Sequence, residues 1–84
     1  MQNITKGLIV RSIGGHDKNE LYLVLDCTDR FALLVNGKNR PTAKPKKKSV
    51  KHLIAVSSSA YLSNNEIIDN STIIKILKDY NKGE

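Results

Sequence analysis

Gly7-Leu8-Ile9-Val10-Arg11-Ser12-Ile13-Gly14-Gly15, then His16-Asp17-Lys18-Asn19, then Glu20-Leu21-Tyr22-Leu23-Val24-Leu25-Asp26, is the stretch on which the fold turns. Its first part is rich in β-branched side chains and stops at two glycines, the pattern of a strand ended by a turn. Its last part places Leu21, Leu23 and Leu25 on one face at period two. That spacing suits a strand with one face in a core.

Working outward, Cys27-Thr28-Asp29 reads as a short connection and Arg30-Phe31-Ala32-Leu33-Leu34-Val35 as a third strand. In that strand Phe31, Leu33 and Val35 share the face assigned to the core. Asn36-Gly37 is a strong hairpin signal, since a type I′ turn needs positive φ at both central residues. Lys38-Asn39-Arg40 then reads as a short returning strand cut off by Pro41. Residues 41–49 read as a loop, because Pro41 and Pro45 each remove a donor and disfavour helix before them. Residues 50–56 resume as a strand ended by three serines. Five short strands in about fifty residues, joined by tight turns, predict a mainly β, closed or nearly closed small barrel.

The tail changes period. Ser63-Asn64-Asn65-Glu66 is a capping box, with Ile67 and Ile68 as the buried face behind it. Asp69-Asn70-Ser71 supplies a second set of caps, so a short helix, a break and a longer helix are expected. In the longer helix Ile73, Ile76, Leu77 and Tyr80 form one apolar face, and Lys78 and Lys82 fall in the last turn, favourable against the helix dipole. The predicted organisation is a barrel over residues 1–57 and a helical extension over 58–84, packed together as one domain.

Eighty-four residues hold one small core; chains of this size bury about 60–65% of the surface they expose unfolded. There is no room for a cleft between two domains or for a nucleotide-binding fold. Apolar runs are too short to span a bilayer, and no secretory leader is expected from the first residues. Cys27 is the lone cysteine, which excludes an internal disulfide and a thiolate zinc site and fits a reducing, cytoplasmic setting.

Charge is more informative. Fourteen Lys and Arg against eight Asp and Glu leave +6. Residues 1–56 hold eleven cations and four acids, hence +7, whereas residues 57–84 hold three and four, hence −1. Lys38–Lys51 contains seven cations and no acid. Such density is an electrostatic footprint for a polyanion.

The strand–loop–strand of residues 7–25 resembles the KOW motif, a Gly-led strand, a polar loop and a second apolar strand. The Asn36-Gly37 turn, the Arg40-Pro41 step and Lys44-Pro45-Lys46-Lys47-Lys48 through Lys51-His52-Leu53 extend the likeness. Together they resemble a bacterial group of small KOW-domain RNA-binding proteins, similar to KOW-bearing large-subunit ribosomal proteins of archaea and eukaryotes. The resemblance covers about residues 5–56. It implies a five-stranded SH3-like barrel of KOW type, followed by the helical tail, that binds RNA, usually ribosomal RNA, without doing chemistry on it. The motif's usual Gly before the second strand is Asn19 here, the non-Gly residue most tolerant of left-handed backbone.

Phosphate binding needs clustered cations, and residues 44–51 supply them beside two prolines that lower the entropy cost of ordering. Gly14, Gly15, His16 and Lys18 form a second surface, in which the glycines admit a phosphate close to the backbone. With Arg11, Lys38, Arg40, Lys44, Lys46, Lys47, Lys48, Lys51 and His52 they complete the expected RNA-binding set. Aromatics are few, and with Phe31 in the core and Tyr80 on the helix, only Tyr22 and Tyr61 remain as stacking platforms. Recognition of structured RNA by phosphate and 2′-hydroxyl contacts is therefore expected over base reading.

Catalysis is not expected. His16-Asp17 has no nucleophile in an activated setting, two histidines lack a third metal ligand, and Asp26 and Asp29 flank a turn where capping is their ordinary task. No cofactor, small-molecule substrate or membrane is called for, and the chain is expected to be a monomer. A protein-interaction module docking the translation or transcription machinery is the competing reading, since a fold alone does not fix function.

Overall fold

A computed structural model describes residues 4–58 and 69–83. The elements are β1 (Leu8–Ser12), β2 (Leu21–Cys27), β3 (Phe31–Val35), β4 (Lys46–Ser49), a single 3-10 turn (Val50–His52), β5 (Leu53–Ser58) and α1 (Asn70–Gly83). The strands form one antiparallel sheet in the order β4-β3-β2-β1-β5. Its register slips at Ile9/Val10 against β5 and at Val24/Asp26 against β3. Extra residues of this kind bend and twist a strand, and the sheet curls into a half-barrel.

The central strand explains the architecture. Leu21-Tyr22-Leu23-Val24-Leu25 is apolar without a break, and both of its faces are covered. On one, Leu23 joins Ile9 and Val35 beneath Ile73, Ile76 and Leu77 of α1, with Leu21, Leu25 and Tyr80 packed around them. On the other, Tyr22 and Val24 meet Val10, Ala32, Leu34 and Leu53, the set about which the sheet folds on itself. Helix α1 therefore closes the core on this face of the sheet. Asp69 starts α1 as expected, its carboxylate accepting the Thr72 N–H at 2.8 Å. The expected capping box and short helix at residues 63–68 lie outside the described residues. No helix among the described residues is long and apolar enough to cross a membrane.

Three local expectations are corrected. Residues 38–40 are not a strand. The Asn36 carboxamide oxygen accepts the N–H groups of Lys38 and Arg40 at 2.9 and 3.0 Å, so its side chain substitutes for a ladder. The Asn36 and Gly37 N–H groups both donate to the Arg40 carbonyl, closing a wider turn than a two-residue hairpin.

Residues 41–49 are not all loop either. Lys46–Ser49 is β4, pairing Ala32 with Lys48 and Leu34 with Lys46. Three consecutive lysines hide the period-two signal, because inward and outward positions carry the same residue. Residues 50–52 are a 3-10 turn, and β5 starts only at Leu53.

The third correction is Phe31, which is 42% exposed, while Ala32 and Leu34 are fully buried. Ala32 and Leu34 face the cluster about which the sheet folds, and the opposite side of β3, which carries Phe31, is covered only toward its far end. Val35, at the other end of the strand, is buried in the helix-side cluster instead.

Gly37 anchors the helix. Its φ is +79°, and a Cβ there would lie 2.5 Å from the Asn70 carbonyl oxygen and 2.8 Å from Ile74 Cγ1. Only glycine permits this approach. From the same connection, the Thr42 N–H donates to Asn70 Oδ1 at 2.8 Å.

Candidate nucleic-acid interface

The β1–β2 loop is organised by Asp17, a buried carboxylate. Oδ1 accepts from Ser12 Oγ at 2.9 Å and from Lys48 Nζ at 2.6 Å. Oδ2 accepts from Tyr22 Oη at 3.0 Å and pairs with Lys46 Nζ at 2.9 Å. Lys48 also donates to the Gly14 carbonyl at 2.9 Å. Because β4 pairs with the inward positions Ala32 and Leu34, the side chains of Lys46 and Lys48 are turned toward this carboxylate.

Burial alone would raise the Asp17 pKa, yet the donors Lys48, Lys46, Ser12 and Tyr22 outweigh it and hold the group well below the usual carboxylate range. Tyr22 responds in the opposite sense. Burial, then its hydrogen bond to the Asp17 anion, push its phenol up to about 12.

This knot brings the two basic surfaces together. His52 joins it through the Ile13 N–H, which donates to the His52 carbonyl at 2.9 Å. A Cβ on Gly14 would sit 3.5 Å from His52 Nδ1, and one on Gly15 would sit 3.5 Å from Lys48 Nζ. Gly14, Gly15, Lys46, Lys48 and His52 thus share one rim, with His16 and Lys18 exposed on its loop. The electrostatic reach of Arg40 extends to Tyr22, where its charge opposes the rise in the phenol pKa.

The remaining sequence-predicted residues lie elsewhere. Lys44 is exposed in the Pro41–Pro45 turn, and Lys51 is exposed in the 3-10 turn. Lys47 points to the outer face, its ammonium 4.5 Å from the centre of the Phe31 ring. Arg11 and Lys38 line a separate open hollow of about 570 Å³ against α1, together with Glu20, Leu77 and Lys78. Arg11 is held there by a 3.1 Å hydrogen bond to the Asn19 carbonyl.

Two features escaped the sequence reading. In the sequence Asp17 stands out only as the neighbour of His16. The sign of its role is that it stands alone among loop residues 13–19 as an acid, facing lysines at alternate strand positions. Tyr22, offered as a stacking platform, is 2% exposed and belongs to the core.

The arrangement makes two classes of cation. Lys46 and Lys48 are engaged with an internal anion; the three charges sum to +1, so the rim stays positive. Lys18, Lys44, Lys47 and Lys51 project outward and can meet phosphates. Among the described residues no group of three His, Cys, Asp or Glu side chains gathers to hold a metal.

No protein-family model matches the chain, and comparison with curated proteins finds no similar sequence.

Proposed function

We propose that this chain is a non-catalytic RNA-binding protein of the KOW kind, its half-barrel a variant of the SH3-like barrel, contacting structured RNA such as ribosomal RNA or the ribosome. The observation that carries the reading is the acid-free segment Lys38–Lys51, whose strand β4 is bound to the β1–β2 loop through Asp17. That contact joins the two basic surfaces into one rigid rim, so its outward cations meet a polyanion already ordered. Asn19 supports the KOW likeness, since its φ of +74° is the left-handed geometry that the motif's glycine suits. Phosphate contacts of this type position a protein on RNA by shape, with little base reading.

The test is salt-titrated filter binding to structured ribosomal RNA, unstructured single-stranded RNA and duplex DNA of equal length. Preference for the structured RNA near physiological salt is expected, with a log–log slope of about −0.7 to −0.9 per neutralised phosphate. Equal weak binding to all three, vanishing as salt rises, would overturn it. A protein-interaction module is the second reading, favoured by Ile13, Phe31 and Ile54, each 42–43% exposed. That reading expects no RNA preference.

A further inference from the structure

Three aromatic side chains fall among the described residues. Tyr22 is buried with its hydroxyl on Asp17, and Tyr80 packs on the helix-side core. Phe31 is different. It stands on the outer face of the sheet, 42% exposed, at the end of β3. Its partner across the ladder is Ser49, too small to cover the ring, and the Lys47 ammonium lies 4.5 Å over it.

The surroundings suit an anionic partner. Arg30 precedes Phe31 and is exposed, and its carbonyl accepts the Val50 N–H at 2.9 Å, which ties it to the turn bearing Lys51. Against the exposed cations Arg30, Lys47 and Lys51 stand the exposed acids Asp26 and Asp29, and Asp26 Oδ1 already accepts the Cys27 N–H. The local balance is positive. An exposed cation–π contact is worth only about 2- to 5-fold in an equilibrium constant. A base stacked on an aromatic ring is worth roughly 5- to 150-fold. A nucleobase therefore displaces the ammonium from the ring, and the freed lysine reaches the adjoining phosphate.

We propose that Phe31 is a stacking platform for an unpaired nucleobase, such as one in a loop or bulge, with Lys47 exchanging the ring for that nucleotide's phosphate. This rests on the RNA-binding reading and adds a specificity element to it, an unpaired base beside a helical segment.

The experiment compares a stem-loop RNA carrying 2-aminopurine in its loop with a fully paired duplex RNA of equal length. The proteins are the wild-type chain, Phe31→Leu and Phe31→Trp, each checked by circular dichroism and thermal melting. Leucine keeps an apolar strand residue without a π-face. Phe31→Leu is expected to weaken stem-loop binding by roughly 5- to 150-fold. It should change duplex binding less than about 2-fold, leave the salt slope intact and abolish the fluorescence quenching, while Phe31→Trp retains all three wild-type behaviours. Wild-type stem-loop affinity in Phe31→Leu overturns the platform while RNA binding stands, and leaves the ring to a protein contact. Equal loss on both RNAs overturns it too, as a structural effect. A wild-type chain that binds neither RNA overturns the RNA reading and this inference with it.

Discussion

Replacing Asp17 with Ala removes the acceptor of four hydrogen bonds and exposes how the rim is held. Ser12 Oγ keeps an alternative in the Gly14 carbonyl at 3.1 Å, and Lys48 keeps the same carbonyl at 2.9 Å. Tyr22 Oη has no such substitute among the described residues, and an orphaned buried hydroxyl costs about 1–3 kcal/mol. The two ammonium groups, with side chains 26% and 12% exposed, then face each other without a counter-charge. Breaking a buried pair costs about 3–5 kcal/mol; partial access of water to Lys46 favours the lower end, about 3 kcal/mol.

Against a total stability of roughly 4–13 kcal/mol for a chain of this length, that is a large fraction. The melting temperature should fall by about 12–24 °C. Urea unfolding followed by circular dichroism measures the loss. In a Lys46→Met/Lys48→Met background the carboxylate is itself buried without a counter-charge, so the cost of Asp17→Ala should fall below about 1 kcal/mol or change sign. Acid supplies a further check. The folded Asp17 pKa lies below its unfolded value, so its contribution is full above that value, near 3.8, and is lost as pH falls toward the folded one. The stability gap between wild type and Asp17→Ala should therefore begin to narrow as pH falls below about 4 and go on narrowing with further acid. A loss under about 1 kcal/mol, or an undiminished loss without the lysines, refutes the reasoning.

Gly37→Ala should destabilise by more than the roughly 1–2 kcal/mol of left-handed backbone strain, because its methyl meets the Asn70 carbonyl; chemical denaturation checks this. Ile73→Ala, at a fully buried position of the helix-side cluster, should cost about 2–5 kcal/mol by the same measurement. Lys44→Glu/Lys51→Glu should leave thermal melting within about 2–4 °C of wild type, since both side chains are exposed. The same pair should flatten the salt dependence of RNA binding by about 1.4–1.8 in slope, read by filter binding. At alkaline pH the Tyr22 phenol, raised to about 12 in the fold, contributes stability that is full below 10 and lost as pH rises through about 12. Tyr22→Phe should abolish that alkaline loss in a pH series of melts.

The strands built from branched and aliphatic residues were legible because their pattern and their packing agree. Leu21, Leu23 and Leu25 share the helix-side face that period two assigns them, and Ile73, Ile76, Leu77 and Tyr80 meet it at helical spacing. The cap at Asp69 was equally plain. Legibility failed where long-range pairing overrode a local pattern. Nothing near Phe31 announces that the helix-side cluster covers its side of β3 at Val35 and stops short of the ring. Nothing in Lys46-Lys47-Lys48 distinguishes inward from outward lysines until Asp17, some thirty residues earlier, is seen to face them. The candidate site was thus readable as a charge excess and unreadable as a geometry, because composition sums charges while the fold pairs them.

Strand β4 has a further consequence for how copies of this chain meet. Among the described residues it pairs only with β3, and so ends the sheet with an open row of backbone donors and acceptors. An open margin of this kind is a template for adding a strand from another molecule, and lysines along it are a common guard against such growth. Lys47, exposed on β4, is that guard. Screening or neutralising it, by high salt or lysine acetylation, weakens that guard.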